Sequence, residues 1–221
     1  MGQQLAFISE YTEERDSIID WYYECRSEVC SLATMSGNDG TEDKFLIVGG
    51  MDKKIRWFVM KDGDTKAISK VHSIKAHSSR VSCLLVSDRT IYSGGGSSDP
   101  SIKQWKAPDD CAVDEDNNRD PGLLRAWDGH TDAIISMGIM GNYLLTGSGK
   151  QDGTLRVWDL NAEAPKSVQA RITDHKAVNA LHVVDDHTII TAGNGGDRKI
   201  CVWATKPLAS CSVATNKCTI Q

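Results

Sequence analysis

The spacing of histidine and tryptophan constrains this 221-residue chain more than any other feature. In three places a histidine is followed 28 positions later by a tryptophan, and an aspartate stands six positions before that tryptophan. The three sets are His77, Asp99 and Trp105; His130, Asp152 and Trp158; and His175, Asp197 and Trp203. Successive histidines are 53 and then 45 residues apart, so length varies only between each tryptophan and the next histidine. Units of fixed length separated by variable stretches predict a repeated fold joined by surface loops.

The unit that begins at His130 shows what each repeat is predicted to form. Residues 133–140 are an apolar run typical of a buried strand, and residues 143–146 are the next strand. Asp152-Gly153 is typical of a hairpin turn, because glycine readily adopts positive φ. Residues 155–158, with their valine and tryptophan, are then a third strand. The repeat is therefore predicted to be an antiparallel sheet.

The stretch Gly147-Ser-Gly-Lys-Gln-Asp-Gly153 also resembles a phosphate-binding loop. Such a loop needs G-x-x-x-x-G-K-[ST] between a strand and a helix whose N-terminal amides face the phosphates. Here Leu144 stands where the first glycine is required, Gln151 follows the lysine, and a strand-like run comes next. The stretch is therefore interpreted as a turn between strands.

The three units resemble WD repeats, with Gly129-His130 and Trp158-Asp159 in the best copy, and the resemblance extends over residues 29 to 205. It implies an all-β fold, a β-propeller of about four recognisable four-stranded antiparallel blades, in a ring that is either closed or incomplete. It also implies a buried hydrogen-bonded tetrad in each repeat. The expected tetrads are His77, Ser93, Asp99 and Trp105; His130, Asp152 and Trp158 with either Thr146 or Ser148; and His175, Thr191, Asp197 and Trp203.

A weaker fourth copy precedes the other three. Asp52 stands six residues before Phe58, but counting back 28 positions from Phe58 reaches Cys30 instead of a histidine. The copy is therefore degenerate or its loop differs in length. The resulting division of the chain is an N-terminal segment 1–28, a degenerate blade 29–76, a blade with an acidic loop 77–129, a blade 130–174, and a blade with a C-terminal tail 175–221. Residues 16–23, around Trp21, and residues 207–215 are predicted to supply further outer strands.

Chain length limits the number of blades. A blade takes roughly 40–45 residues, so the usual seven do not fit. Three arrangements are compatible with the sequence: a closed ring of four blades, an open arc completed by another chain, or a piece of a longer propeller. An open arc would expose apolar sheet faces and favour self-association.

Charge and composition exclude several functions. The net charge of −5 argues against a nucleic-acid footprint, and residues 108–121 alone contain six acids and one arginine. The sequence shows neither a signal peptide nor a long apolar run, so we expect a cytoplasmic protein. The seven cysteines and six histidines lack the paired spacings of a zinc site, and no cofactor is expected. The last four residues fit a prenylation signal at Cys218, which is the one route predicted for membrane attachment.

The resemblance to WD repeats implies a non-enzymatic scaffold that binds one or more proteins. The alternatives are a substrate receptor of a ubiquitin ligase, which would place an arginine two residues after Trp158-Asp159 where Asn161 stands, and a prenylated signalling adaptor. An enzyme would need a nucleophile common to the His-Asp pairs, and the sequence provides none. The acidic loop is predicted on the face opposite the histidines, as a solvated insertion or a site for a basic partner. The candidate partner-binding residues are Arg80, Asp132, Lys150, Gln151, Lys176 and Arg198.

Overall fold

The computed structural model describes residues 27–37, 44–61, 67–107, 122–163, 167–173, 175–194, 199–204 and 216–219. Within these ranges the chain forms sixteen strands and no helix. The strands make four antiparallel sheets of four strands each, in chain order. The all-β fold predicted from the repeats is confirmed.

Each sheet is built from consecutive strands. The first contains β1 (Val29–Ser36), β2 (Lys44–Gly50), β3 (Lys54–Lys61) and β4 (Ala67–Lys75). The second contains β5 (Val81–Ser87), β6 (Thr90–Gly95), β7 (Ile102–Lys106) and β8 (Leu123–Trp127). The third contains β9 (Ile134–Met140), β10 (Tyr143–Ser148), β11 (Thr154–Asp159) and β12 (Ser167–Ile172). The fourth contains β13 (Val178–Asp185), β14 (Thr188–Gly193), β15 (Ile200–Ala204) and β16 (Asn216–Thr219).

The local sequence explains the strands of the third sheet. Strand β9 alternates between buried and partly buried residues, as expected when both faces of a sheet are covered by neighbouring sheets. Gly141 has φ 55° in the turn before β10, and Gly153 has φ 63° in the turn before β11. A side chain at either position would be strained, so glycine sets where these hairpins turn.

The sheets pack face to face in chain order, and the core lies between them. Phe45 and Trp57 of the first sheet pack with Trp105 of the second. Trp127, Ile134 and Trp158 fill the space between the second and third sheets. Met140, Leu155 and Ile189 lie between the third and fourth. Burial of these side chains is the main favourable term that holds neighbouring sheets together.

One polar contact recurs at all three junctions between sheets. A side chain on the first strand of one sheet (β1, β5 or β9) donates a hydrogen bond to the first strand of the next sheet. The acceptor is the carbonyl oxygen of the first residue of that strand. The donors and acceptors are Ser31 and Val81 at 3.4 Å, Cys83 and Ile134 at 3.2 Å, and Ser136 and Val178 at 2.8 Å. These bonds fix how each sheet is aligned with the next along the direction of the strands.

The array of sheets is open. Strands β1 and β5, β5 and β9, and β9 and β13 pack as neighbours, but no comparable packing joins β13 to β1 in the described part of the chain. Leu32 on β1 is 61% exposed and Val184 on β13 is 50% exposed. A closed ring of four blades, one of the three arrangements compatible with the sequence, is therefore not what the chain forms.

The expected repeat boundaries can be compared with the strands. The four sheets lie within residues 29–76, 77–129, 130–174 and 175–221 respectively. The fourth strand described in the last sheet is β16, which pairs with β15 and directly follows the segment 207–215 predicted for this role. Residues 205–215 and the predicted strand around Trp21 lie outside the described residues. The part of the chain that the structure describes contains no apolar helix of membrane-spanning length.

Replacing Gly147 with alanine should destabilise the junction between the third and fourth sheets. A Cβ atom at this position would lie 2.6 Å from the side chain of Val178 and 2.5 Å from the Ser136 hydroxyl. We expect a loss of about 1–3 kcal/mol in the free energy of unfolding, measured by denaturant titration. Asn142→Ala in an exposed turn is the control and should change this energy by no more than about 0.5 kcal/mol. Equal stability of the two variants would contradict the packing described here.

Candidate functional site

The third sheet joins four side chains, one from a loop, one from a turn and two from strands, into one buried network, which we call a tetrad. His130 lies in the loop before β9, Thr146 on β10, Asp152 in the turn before β11 and Trp158 on β11. His130 Nε2 lies 2.8 Å from Thr146 Oγ1, and His130 Nδ1 lies 3.0 Å from Asp152 Oδ2. Trp158 Nε1 donates to Thr146 Oγ1 at 2.8 Å. Ser148, the other residue considered, donates instead to the carbonyl oxygens of Asp132 and Ala133.

The donor and acceptor capacities of these groups fix the direction of every bond. An indole N–H can only donate, so the Thr146 oxygen accepts from Trp158 and its own proton is available for His130 Nε2. An Nε2 that accepts requires the proton of the neutral ring to sit on Nδ1, where it is donated to Asp152. The chain of bonds therefore runs from Trp158 through Thr146 and His130 to Asp152.

The second and fourth sheets repeat this network. His77 Nε2 lies 2.8 Å from Ser93 Oγ, His77 Nδ1 lies 3.3 Å from Asp99 Oδ2, and Trp105 Nε1 donates to Ser93 Oγ at 2.8 Å. In the fourth sheet, the Thr191 hydroxyl lies 3.2 Å from His175 Nε2 and 2.8 Å from Trp203 Nε1. Asp197, the fourth expected member, lies outside the described residues.

The first sheet has a different arrangement at the same place. Phe58 and Val48 are buried where the other sheets carry tryptophan and a hydroxyl. Asp52 forms an ion pair with Arg56 and its main-chain N–H donates to the Ser27 hydroxyl at 3.0 Å. Cys30 lies inside β1, so it does not occupy the position of a loop histidine. Apolar packing and an ion pair therefore replace the tetrad in this sheet.

The electrostatics of the tetrads agree with neutral histidines and ionised aspartates. Burial, together with nearby Lys103, lowers the pKa of His77 to about 4 although Asp99 opposes the shift. Burial also lowers the pKa of His130. Burial would raise the pKa of Asp99, but hydrogen bonds from Ser101 and the Ser78 N–H outweigh it and bring the pKa to about 2. The pKa of Asp152 is lowered in the same way.

The geometry assigns the tetrads a structural role. The side chains of His77 and His130 are fully buried, so no substrate reaches their ring nitrogens. Each aspartate instead binds the loop that follows its histidine. Asp99 accepts a hydrogen bond from Ser78 N at 2.6 Å, and Asp152 accepts one from Thr131 N at 2.7 Å. The network thus ties a turn and a loop to the same buried point.

These loops and turns make up one end of the array, which we call the histidine-loop face. It consists of residues 27–28, 51–54, 75–80, 96–101, 128–133, 149–153, 173–177 and 199 as far as the structure describes them. Main-chain bonds join turns to loops across this face, from Ala76 N to Lys53 O at 2.9 Å and from Thr173 N to Gly153 O at 3.4 Å. Ser97 in one turn donates to Asp132 in the next loop at 2.6 Å.

The candidate partner-binding residues fall into three groups. Arg80, Lys150, Gln151 and Lys176 are exposed on the histidine-loop face. Asp132 is 7% exposed, and its carboxylate accepts bonds from Ser97 and from the N–H groups of Ala133 and Gln151. These bonds lower the pKa of Asp132 although burial alone would raise it, and they make Asp132 a residue that holds loops together instead of a contact residue. Arg198 lies outside the described residues.

Sequence reasoning overlooked several exposed bases on the same face. Lys53, Lys54, Lys75 and Lys199 are exposed at the ends of strands or in a turn. Lys53 adopts φ 73°, and its carbonyl oxygen accepts bonds from the N–H groups of Ala76 and His77. The alignment of the first unit with the others would have placed these lysines, because Lys53 follows the turn aspartate Asp52 directly.

Two further expectations concern the chain end and metals. Cys218 lies in β16, where its main chain pairs with Val202 of β15, so the segment that a lipidation signal would offer to an enzyme takes part in the fourth sheet. Within the described ranges, no three histidine, cysteine, aspartate or glutamate side chains converge as metal ligands would.

Comparison with known proteins agrees with this geometry. The family model for the WD domain, G-beta repeat, matches residues 68–106, 122–159 and 166–204. Human Striatin-4 is 28% identical over 126 residues, which are 57% of this chain and 16% of that protein. The WD40 β-propeller domain of Doa1 superposes with a TM-score of 0.61 at 21% identity, over 84% of this chain and 55% of the other. The computationally designed Ika4 protein gives a TM-score of 0.57 at 22% identity, over 92% and 99%. The chain thus spans about a sixth of Striatin-4, and the two structural similarities bear on fold alone.

Thr146→Val should show how much the tetrad contributes to stability. Valine has nearly the same shape but leaves Trp158 Nε1 and His130 Nε2 buried without a partner, at about 1–3 kcal/mol for each group. We expect the free energy of unfolding to fall by about 2–4 kcal/mol in a denaturant titration. Thr146→Ser keeps the hydroxyl and should cost about 1 kcal/mol for the lost methyl group. The prediction fails if serine and valine are equally tolerated.

The low pKa of His77 predicts a pH-dependent stability. The unfolded chain binds a proton at His77 near pH 6.5, whereas the folded chain does so only near pH 4. Stability is therefore complete above pH 6.5 and declines as the pH falls towards 4, by about 3 kcal/mol from this residue. Imidazole NMR at pH 5 should show a neutral His77 ring, and denaturant titrations at pH 7.5 and 4.5 should show the loss. A His77 midpoint at 6.5 in the folded protein would contradict this account.

Proposed function

Because this chain belongs to the WD-repeat family, we propose that it is a non-enzymatic scaffold that binds a protein partner on its histidine-loop face. The observation that supports this proposal is the way the face is built. Exposed polar side chains stand on loops and turns whose main-chain groups are anchored to buried tetrads. A surface fixed in this way loses little conformational entropy when a partner binds.

The proposal assigns the contact to three exposed side chains from three neighbouring loops and turns. Arg80 precedes β5, Lys150 lies in the turn before β11, and Lys176 precedes β13. The turn that carries Lys150 packs against the loop that carries Lys176, since a Cβ atom at Gly153 of this turn would lie 3.1 Å from the main-chain oxygen of Lys176. Contacts from several repeats at once give a broad surface, as a protein partner requires.

The enzyme alternative receives no support from the network described. Its histidines are buried and held neutral, and its aspartates are committed to main-chain N–H groups. A nucleophile activated by such a histidine would need to reach a ring nitrogen that already binds Thr146 or Ser93. We therefore retain the scaffold as the function that fits the site best.

A photo-crosslinking experiment tests the proposed face. A photoreactive amino acid is placed at Gln151 on the histidine-loop face and, in a matched protein, at Asn142 in an exposed turn at the opposite end. We expect a specific crosslinked partner from position 151 and not from position 142. The same crosslink should weaken at least tenfold when Arg80, Lys150 and Lys176 are all changed to alanine.

A control variant separates loss of binding from loss of fold. Glu163→Ala with Asp186→Ala changes exposed residues at the opposite end and should leave the crosslink at 151 unchanged. Both variants should unfold at the denaturant midpoint of the parent. A crosslink that survives the triple substitution, or that forms equally from 142, would overturn the assignment of the face.

A further inference from the structure

Four of the six described carboxylates in the turns and loops of the histidine-loop face are used inside the protein. They are Asp52, Asp99, Asp132 and Asp152. Asp52 pairs with Arg56. Asp99 and Asp152 bind their histidines and the N–H groups of Ser78 and Thr131. Asp132 binds Ser97 and the Gln151 N–H. These four acidic groups therefore serve the fold, whereas Glu28 and Asp128 are exposed.

The exposed charged side chains of the same face are mostly basic. Seven are exposed bases: Lys53, Lys54, Lys75, Arg80, Lys150, Lys176 and Lys199. Two exposed acids, Glu28 and Asp128, accompany them in the described loops. A partner that touches this face thus meets cations from all four repeats, although the whole chain has a net charge of −5.

The opposite end of the sheets has the reverse balance. Its exposed described residues include four acids and two bases: Asp88, Glu163, Asp185, Asp186, Lys44 and Lys106. Residues 108–121, which contain six acids and one arginine, lie outside the described residues. The exposed charges of the described residues are therefore segregated between the two ends of the sheets, which orients the protein towards a charged partner.

From this segregation we propose that the segment bound at the histidine-loop face is an aspartate- and glutamate-rich stretch of the partner protein. The proposal rests on the proposed scaffold function and specifies the chemistry of its ligand. Bases placed singly on successive loops suit carboxylates distributed along an extended peptide. Such complementarity steers association and sets the register of the partner more than it adds raw affinity.

Two other anionic ligands fit the face less well. A nucleic acid would meet no exposed aromatic side chain for base stacking among the described residues of this face, and the acidic opposite end would repel the rest of the polymer. A phosphorylated peptide is favoured by clustered arginines, whose planar groups bind phosphate in two places at once. Here Arg80 is the one arginine among the seven exposed bases.

Selection from a random peptide library tests the proposal with the full chain. Twelve-residue peptides displayed on phage are selected against the immobilised protein, and enriched peptides are synthesised and titrated by fluorescence polarisation. We expect the enriched set to be net negative relative to the unselected library. Replacing their Asp and Glu by Asn and Gln should weaken binding at least tenfold, and added salt should weaken binding of the acidic peptides.

Charge-reversal variants locate the peptides. Arg80→Glu, Lys150→Glu and Lys176→Glu together should abolish binding, whereas Lys44→Glu with Lys106→Glu at the opposite end should preserve it. The corresponding triple alanine variant should weaken binding to an intermediate degree. It replaces the charge-reversed protein in this test if that protein fails to fold.

The outcomes separate the two proposals. If the enriched peptides are neutral or basic but do not bind the triple variants, the proposal of an acidic ligand is overturned. The proposal that the histidine-loop face binds a partner then still stands. If the peptides bind the triple variants as well as they bind the parent, or if the selection enriches no peptide, both the acidic ligand and the scaffold face are overturned. Phosphoserine versions of the peptides, or a single-stranded DNA 20-mer, that bind tenfold more tightly than the acidic peptides would replace the proposed ligand with that chemistry.

Discussion

A buried hydroxyl is the group on which the structure of each complete repeat depends. The oxygen of Ser93, Thr146 or Thr191 stands between an indole N–H and an imidazole nitrogen, and it satisfies both. Since an unpaired polar atom in this position would be costly, the hydroxyl lowers the free-energy cost of burying the tryptophan and the histidine. Their burial brings the loop and the turn to one end of the sheet. The hydrophobic core and the exposed surface are thus joined by one polar network.

Much of this arrangement could be read from the sequence, because the tetrad fixes the spacing of its members. A histidine and a tryptophan separated by 28 residues identify where each sheet begins and where its third strand ends. The ladder from β9 to β11 follows from the apolar runs and the glycine turns. These features depend on residues that are close together in the sequence, so they can be recognised there as periodic patterns.

Other features depend on contacts that no local pattern records. Asp132 was expected to face a partner, because a loop carboxylate cannot be distinguished in sequence from one that binds neighbouring N–H groups. The outer strand β16 has few β-formers and is placed by pairing with β15, so propensity suggested an earlier segment. Whether β13 meets β1 depends on the summed geometry of all four sheets. The sequence shows that the first copy lacks its tryptophan and histidine, but the Arg56–Asp52 pair found in place of the tetrad appears only in three dimensions.

The open row of sheets has a consequence for how stability is distributed. In a closed ring every blade has two neighbours, but here the first and fourth sheets each have one within the described chain. Such a row behaves as a one-dimensional lattice, in which the free energy of each unit includes its coupling to adjacent units. The second and third sheets, which share the Trp127, Ile134 and Trp158 cluster, are then the most cooperative region. Among the described sheets we expect local opening to start in the first or the fourth, so the turn that carries Lys150 should be more rigid than the loop that carries Lys176.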